Sequence, residues 1–167
     1  LVIPRNSGKI DDGYIERRVD DGTSSCAVIS ADKPIYVVQY NTSQTDDNVL
    51  SDPFQMALTP FEQYQNEIMF STPGMHPGTD NFKIHYMNLV YKLGPGGSVP
   101  DDLEFAVVVN GKFEWKKLAV RFGSTPGCVL PVPVNGATYA TKQLTLPGEG
   151  VFRIRSKSPL AGYLYGT

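Results

Sequence analysis

VFRIRS, residues 151–156, decides how this chain reads. Phe152 and Ile154 fall on one side of an extended backbone and Arg153 and Arg155 on the other, the period of two expected of a strand with one buried face. Just before it, Pro147-Gly148 suits a type II turn, whose second central residue needs positive φ. Farther out, Asn110-Gly111 separates AVVV from KFEW, and Asn135-Gly136 separates LPVPV from ATYA. This dipeptide makes tight hairpins because both central residues take positive φ. Between such turns lie short runs rich in β-branched and aromatic residues: YIERRV, CAVIS, PIYVVQYN, FQMAL, EIMFS, FKIHYMNLVYKL, LEFAVVV, FEWKKLAVRF, CVLPVPV, TYATKQLTL and LAGYLYG. The pattern predicts an all-β chain, an antiparallel β-sandwich (jelly-roll-like) of about 10–12 strands.

Individual segments sharpen this expectation. PIYVVQY is apolar on both faces at its centre, which places it as an inner strand. Pro131 and Pro133 cannot donate ladder hydrogen bonds, so CVLPVPV belongs at an edge. At most one short helix fits, near residues 60–67, with Thr59 as N-cap, Pro60 at the first position and Glu62 three residues after the cap. No internal repeat or low-complexity tract interrupts the chain.

Composition excludes several classes. Hydrophobic residues make up 41% and charged residues 19% of 167 residues, enough to fill one core. The reading is a single domain over 1–167, excised from a larger multidomain protein. A net charge of −2 offers no basic field to a phosphate backbone, so nucleic acid is not an expected partner. No run reaches the roughly 20 apolar residues of a membrane span, so no membrane insertion is expected. Cys26 and Cys128 lie too far apart for a CxxC motif. They form one disulfide if the fold joins them, or stay two buried thiols; a chain with a full core needs no staple, which favours thiols.

The chemistry-bearing residues are sparse. The pairs Asp11-Asp12, Asp20-Asp21, Asp46-Asp47 and Asp101-Asp102 stand beside turn residues. Loop carboxylates can hold calcium, so calcium is possible, but Asp also favours turns for its own backbone bonding. No other cofactor is expected. Only His76 and His85 could serve as an imidazole base, and no GxSxG elbow surrounds a serine. His85 shares a strand face with Met87 and Leu89 and reads as a packed histidine. Glu62 and Glu67 are the one carboxylate pair in an aromatic setting that could serve glycoside hydrolysis, a minor reading beside a non-enzymatic one. Nine tyrosines and Trp115 supply rings of the kind used at interaction surfaces, though Trp115 reads as the core anchor of its strand. Asn41-Thr42-Ser43 fits a glycosylation acceptor.

Four stretches occur in order: DKPIYVVQYNTS (32–43), DPFQMALTPFEQYQNEIMFSTP (52–73), FKIHYMNLVY (82–91) and SPLAGYLYGT (158–167). Together they resemble the IgGFc-binding protein N-terminal domain family, found in secreted mucin-associated animal proteins and in surface or secreted bacterial proteins. The resemblance rests on Lys33, Pro34, Val37 to Tyr40, then Asp52, Pro53, Pro60, Glu62, Gln63 and Phe70 to Pro73, then Pro159, Tyr163, Tyr165 and Gly166. The last strand departs from the family pattern with Leu160 in place of the usual Phe. The resemblance implies an extracellular or cell-surface, non-catalytic adhesion or binding module within a multidomain protein. Its partners would be an extracellular protein or glycan and neighbouring domains of the same polypeptide. The alternatives are a structural spacer and, less favoured, a carbohydrate-active enzyme. Glu62, Gln63, Tyr64, Asp46 and Asp47 are the candidate binding residues, with loops 41–52 and 74–81 as the exposed rim. Glu62 and Gln63 have a structural reading as well, capping backbone groups bared where the chain crosses between strands.

Overall fold

The computed structural model describes residues 26–40, 55–72, 82 and 84–166. Asp46, Asp47, the N-terminal Asp pairs, His76, Asn41 and the loops 41–52 and 74–81 lie outside them. Nine strands occur among the described residues: β1 Val38–Tyr40, β2 Gln55–Ala57, β3 Gln65–Ser71, β4 His85–Lys92, β5 Glu104–Val109, β6 Lys112–Lys117, β7 Cys128–Val129, β8 Tyr139–Thr145 and β9 Val151–Gly166. β1 and β2 form a two-stranded sheet; the rest run β6-β5-β9-β4-β8-β7, with β3 also paired to β9. Every ladder is antiparallel. The chain is the all-β sandwich its turn spacing predicts.

β9 organises the rest. Sequence reading places two strands, VFRIRS and LAGYLYG; the structure has one of 16 residues. Its first half lies between β3 and β5, where Ile154 pairs with Ile68 and Phe105. Its second half runs along β4, with Gly162 opposite Leu89. Between them the β3 register shifts, from Glu67↔Arg155 to Gln65↔Leu160. Pro159 falls in that shift, where a missing N–H breaks no ladder. Asn66 Nδ2 bridges the same step, donating to the Ser156 and Lys157 carbonyls at 3.2 and 2.8 Å. The strand therefore serves both layers, and the core closes between them. Phe105, Phe152 and Ile154 on one side meet Met87, Leu89, Tyr91 and Leu144 on the other, with Leu103, Leu118 and Leu160 at the margins.

Turn chemistry behaves as its residues require. Asn110 and Gly111 take φ of 51° and 76°, and Asn135 and Gly136 take 47° and 74°. The first pair closes β5 onto β6 with Val109 opposite Lys112. β7 pairs with β8 and with no other strand among the described residues, and Pro131 and Pro133 follow just past its end, in keeping with the edge expected of CVLPVPV.

Further expectations need correction. Cys26 and Cys128 are not thiols but a disulfide, with Cα atoms 5.9 Å apart across a separation of 102 residues. PIYVVQY is not an inner strand: it contributes only Val38–Tyr40, paired with β2 among the described residues, and Ile35, Tyr36 and Tyr40 are exposed. Its two-faced apolarity does not report two-sided burial. FEWKKLAVRF is not all strand; it leaves β6 at Lys117 and coils into a five-residue helix, α1 Leu118–Phe122, which inserts Leu118 into the core. Near residues 60–67 there is a single 3₁₀ turn, Phe61–Gln63, with Pro60 rather than Thr59 at the N-cap. Pro60 contributes no side-chain cap, and among the described residues the Glu62 and Gln63 side chains cap no backbone group. The turn closes through backbone bonds alone, from Gln63 N–H to the Pro60 carbonyl and from Tyr64 N–H to the Phe61 carbonyl, at 2.9 and 3.1 Å.

Candidate functional site

The alternation in VFRIRS directs Phe152 and Ile154 into the core and leaves Arg153 and Arg155 on the outer face of β6-β5-β9-β3. Two cross-strand rows follow from the register. One runs Trp115–Ala106–Arg153–Met69, the other Lys117–Glu104–Arg155–Glu67. Ala106 has no exposed surface although it belongs to the outer row. A small residue there lets large neighbours close over it from both sides. The Arg153 guanidinium lies 5.5 Å from the Trp115 ring centroid and 5.0 Å from that of Phe113; Arg155 lies 3.9 Å from Trp115. Trp115 is therefore not the core anchor its sequence suggests. It is a half-buried plate on the outer face with two guanidinium groups over it.

Charge pairing fixes those arginines. Arg155 Nε donates to Glu104 Oε2 at 2.7 Å, and Arg153 pairs with Glu67. Lys117 Nζ reaches Asp101 Oδ1 at 2.9 Å. Each ion pair is partly exposed and contributes little stability alone; together they hold both guanidinium groups against the indole. One step further, Phe113 pairs with Val108 and Ser71 with Val151. The face thus presents Met69, 68% exposed, with Val108, Val151 and the Trp115 edge, framed by alternating charges. Trp, Arg and Met on a rigid sheet are the residue types that dominate protein–protein contacts.

The sequence-predicted residues stand elsewhere. Glu62 and Gln63 are exposed on the Phe61–Gln63 turn. Tyr64 turns inward: its ring centroid is 5.0 Å from Phe61 and 6.4 Å from Tyr139, and Phe61 meets Tyr139 edge-on at 5.1 Å. Burial, and next the neighbouring Tyr163 hydroxyl, raise the Tyr64 phenol well above its ordinary range. Tyr163 in turn ties this segment down, its hydroxyl accepting from Thr59 N–H at 3.1 Å. Tyr64 is thus a packing residue beneath an exposed Glu62–Gln63 step.

Asp102 shows what one Asp pair does. Its Oδ2 accepts from Lys157 N–H at 2.7 Å and the Ser156 hydroxyl at 3.0 Å. Burial alone would raise its pKa, but these hydrogen bonds to the charged form outweigh it and hold the carboxyl below the usual range. The pair is a turn fastened to β9, as the turn reading of Asp predicts. No group of three His, Cys, Asp or Glu converges among the described residues. His85 is buried, 3% exposed, with Phe82 edge-on to its ring and neither ring nitrogen hydrogen-bonded among the described residues. It is the packed strand histidine the alternation indicates. Glu67, the second carboxylate of the glycosidase reading, is engaged by Arg153.

A signal for the Trp115 face was present in the sequence. The two-residue Asn110-Gly111 turn fixes the hairpin register, pairing Glu104 with Lys117 and Ala106 with Trp115. A charged pair belongs on the solvent side, and Trp115 shares the side of Lys117.

Among the described residues, no helix is long and apolar enough to cross a membrane. No curated protein and no solved structure matches the chain. The IgGFc binding protein family matches it over residues 4–166, and on that near-complete match the chain belongs to the IgGFc binding protein family.

Proposed function

We propose that this chain is a non-catalytic, extracellular module of a surface or secreted protein, and that it recognises another protein through the outer face of β6-β5-β9-β3. One observation carries the reading: Trp115 is held flat by Arg153 and Arg155, beside the solvent-facing Met69. A sugar ring needs the open face of an indole, and Arg155 at 3.9 Å occupies it. A protein surface can instead pack on Met69 and Val151 and hydrogen-bond the guanidinium edges. The family's name attaches Fc binding to its members, which makes an immunoglobulin Fc fragment one probe among extracellular proteins. The Cys26–Cys128 disulfide agrees with an oxidising compartment. Glu62 and Gln63, exposed and free of side-chain hydrogen bonds among the described residues, are a second candidate contact; Asp46 and Asp47 remain candidates on sequence grounds.

The experiment is an array of extracellular proteins, Fc included, and glycans, probed with the isolated chain. The expected result is a saturable protein hit that Trp115→Ala weakens at least tenfold while Lys92→Ala, exposed at the end of β4, leaves it unchanged. A saturable glycan hit indifferent to Trp115→Ala overturns the reading. A blank array favours the spacer.

A further inference from the structure

At the end of the same face, α1 and the Pro147–Gly150 turn enclose a depression of about 240 Å³, lined by Val107, Val108, Arg121, Pro147, Glu149 and Phe152 among others. From these walls we infer a second recognition site, one that takes a single carboxylate carried on a short aliphatic stem, as on a glutamate side chain of a partner protein.

Arg121 is the reason. It stands in the last turn of α1, whose Phe122 packs edge-on against Phe105 at 5.0 Å. The Arg121 guanidinium carbon lies 5.6 Å from the Phe105 ring centroid. The ring face compensates part of the charge but accepts none of its fork of N–H bonds. Among the described residues Arg121 makes no ion pair within 4.0 Å, and its Nε is buried without an acceptor. Arg153 also has a buried Nε without an acceptor, but its Nη2 pairs with Glu67, and Arg155 pairs with Glu104; of the three, Arg121 is the one with no carboxylate partner among the described residues. The terminal Nη groups carry no hydrogen bond among the described residues and stay accessible, and a planar carboxylate is the acceptor that pairs with two guanidinium N–H groups at once.

The remaining walls set the size. Val107, Val108, Pro147 and Phe152 are apolar and suit methylene groups. The depression is smaller than the roughly 300–1,000 Å³ of small-molecule sites, so it holds a side chain rather than a whole metabolite. Gly150, at φ 157°, shapes one wall, where a Cβ would come within 3.5 Å of the Phe152 ring. Glu149 also lines the site and makes no ion pair with Arg121; it is a like charge that an incoming carboxylate must tolerate. Val108 belongs both to this depression and to the outer face beside Phe113. A protein seated on that face would bring its side chains to the opening. That the carboxylate belongs to a protein rests on the reading of the Trp115 face; the preference for a carboxylate does not.

The test uses the intact chain with ¹⁵N-labelled arginine. N-acetyl-glutamate N-methylamide should shift the Arg121 Nε–H resonance saturably, in the millimolar range expected of a single side chain. The glutamine analogue should bind at least tenfold more weakly. Glu149→Gln should tighten glutamate binding severalfold, and Arg121→Lys, which keeps the charge but loses the fork, should weaken it. Equal response to both analogues, or titration of glutamate unaffected by Arg121→Lys, overturns the site. A uronic acid glycoside that binds more tightly than the amide overturns its assignment to a protein. Trp115→Ala should leave this titration unchanged, so failure of the Trp115 reading and failure of the Arg121 site are seen separately.

Discussion

Removing the Cys26–Cys128 bridge tests the largest single covalent constraint described here. The bond closes a separation of 102 residues, spanning β1 to β6 and α1. Loop-closure entropy for a ring of that size amounts to about 4.7 kcal/mol at 25 °C, because the cross-link withdraws conformations from the unfolded chain. With a urea slope of about 2 kcal/mol per molar for a chain of this size, the midpoint should fall by about 2.3 M in the Cys26→Ala, Cys128→Ala double variant. Both sulfurs are part-exposed, so reductant should bring the wild-type chain to nearly the same midpoint. Equilibrium unfolding followed by circular dichroism, with and without reductant, reads both numbers. The slope should also rise, since an open chain exposes more surface on unfolding. If the double variant unfolds within about 0.5 kcal/mol of the wild type, the reasoning fails: the N-terminal tether would not be restricting the denatured ensemble.

Two glycines and one carboxylate give further outcomes. A Cβ on Gly127 would lie 2.6 Å from the Thr141 carbonyl oxygen, a backbone atom of β8; Gly127→Ala should cost about 3 kcal/mol by thermal melting. On Gly162 the same atom would meet the Ile68 Cδ1 and Met87 Sδ side-chain ends at 3.0 Å, which can yield, so Gly162→Ala should cost about 1 kcal/mol; a reversed order would refute the distinction. Asp102→Asn should cost about 1 kcal/mol at neutral pH, the value of charge-assisted bonds discounted for partial exposure. Because folding lowers the Asp102 pKa, that contribution is complete above the ordinary carboxylate range and fades as pH falls through the folded value. The gap between wild type and variant should therefore close in acid, and a gap that widens there contradicts the assignment.

The sandwich was legible because its strongest signals are local. The alternation at 151–155 and the Asn-Gly turns at 110 and 135 depend on neighbours two to four residues away. The edge placement of CVLPVPV followed from the chemistry of Pro131 and Pro133. Long-range facts left no such mark. Nothing near Cys26 or Cys128 in the chain shows that they meet. The joining of two short strands into β9 brings in partners far away in the chain, Asn66 and Asp102, which bond the backbone at Ser156 and Lys157. Apolar PIYVVQY looks inner because periodicity counts side chains without seeing what covers them. Trp115 shows the opposite case: its aromatic bulk suggests a core, but the hairpin register beside it carries the correct side. Arg121 was invisible because FEWKKLAVRF reads as strand until tertiary packing draws Leu118 inward and starts the helix.

A strand shared by two layers removes the seam along which a sandwich could split. Neither layer can slide or tilt away without twisting the single backbone that runs through Ser156 and Lys157. Arg153 on the outer face and Tyr163, whose hydroxyl accepts from Thr59 N–H beside the Phe61–Gln63 turn, therefore stand on one continuous backbone. Two surfaces far apart in the chain, residues 61–63 and 104–117, are anchored to the same strand.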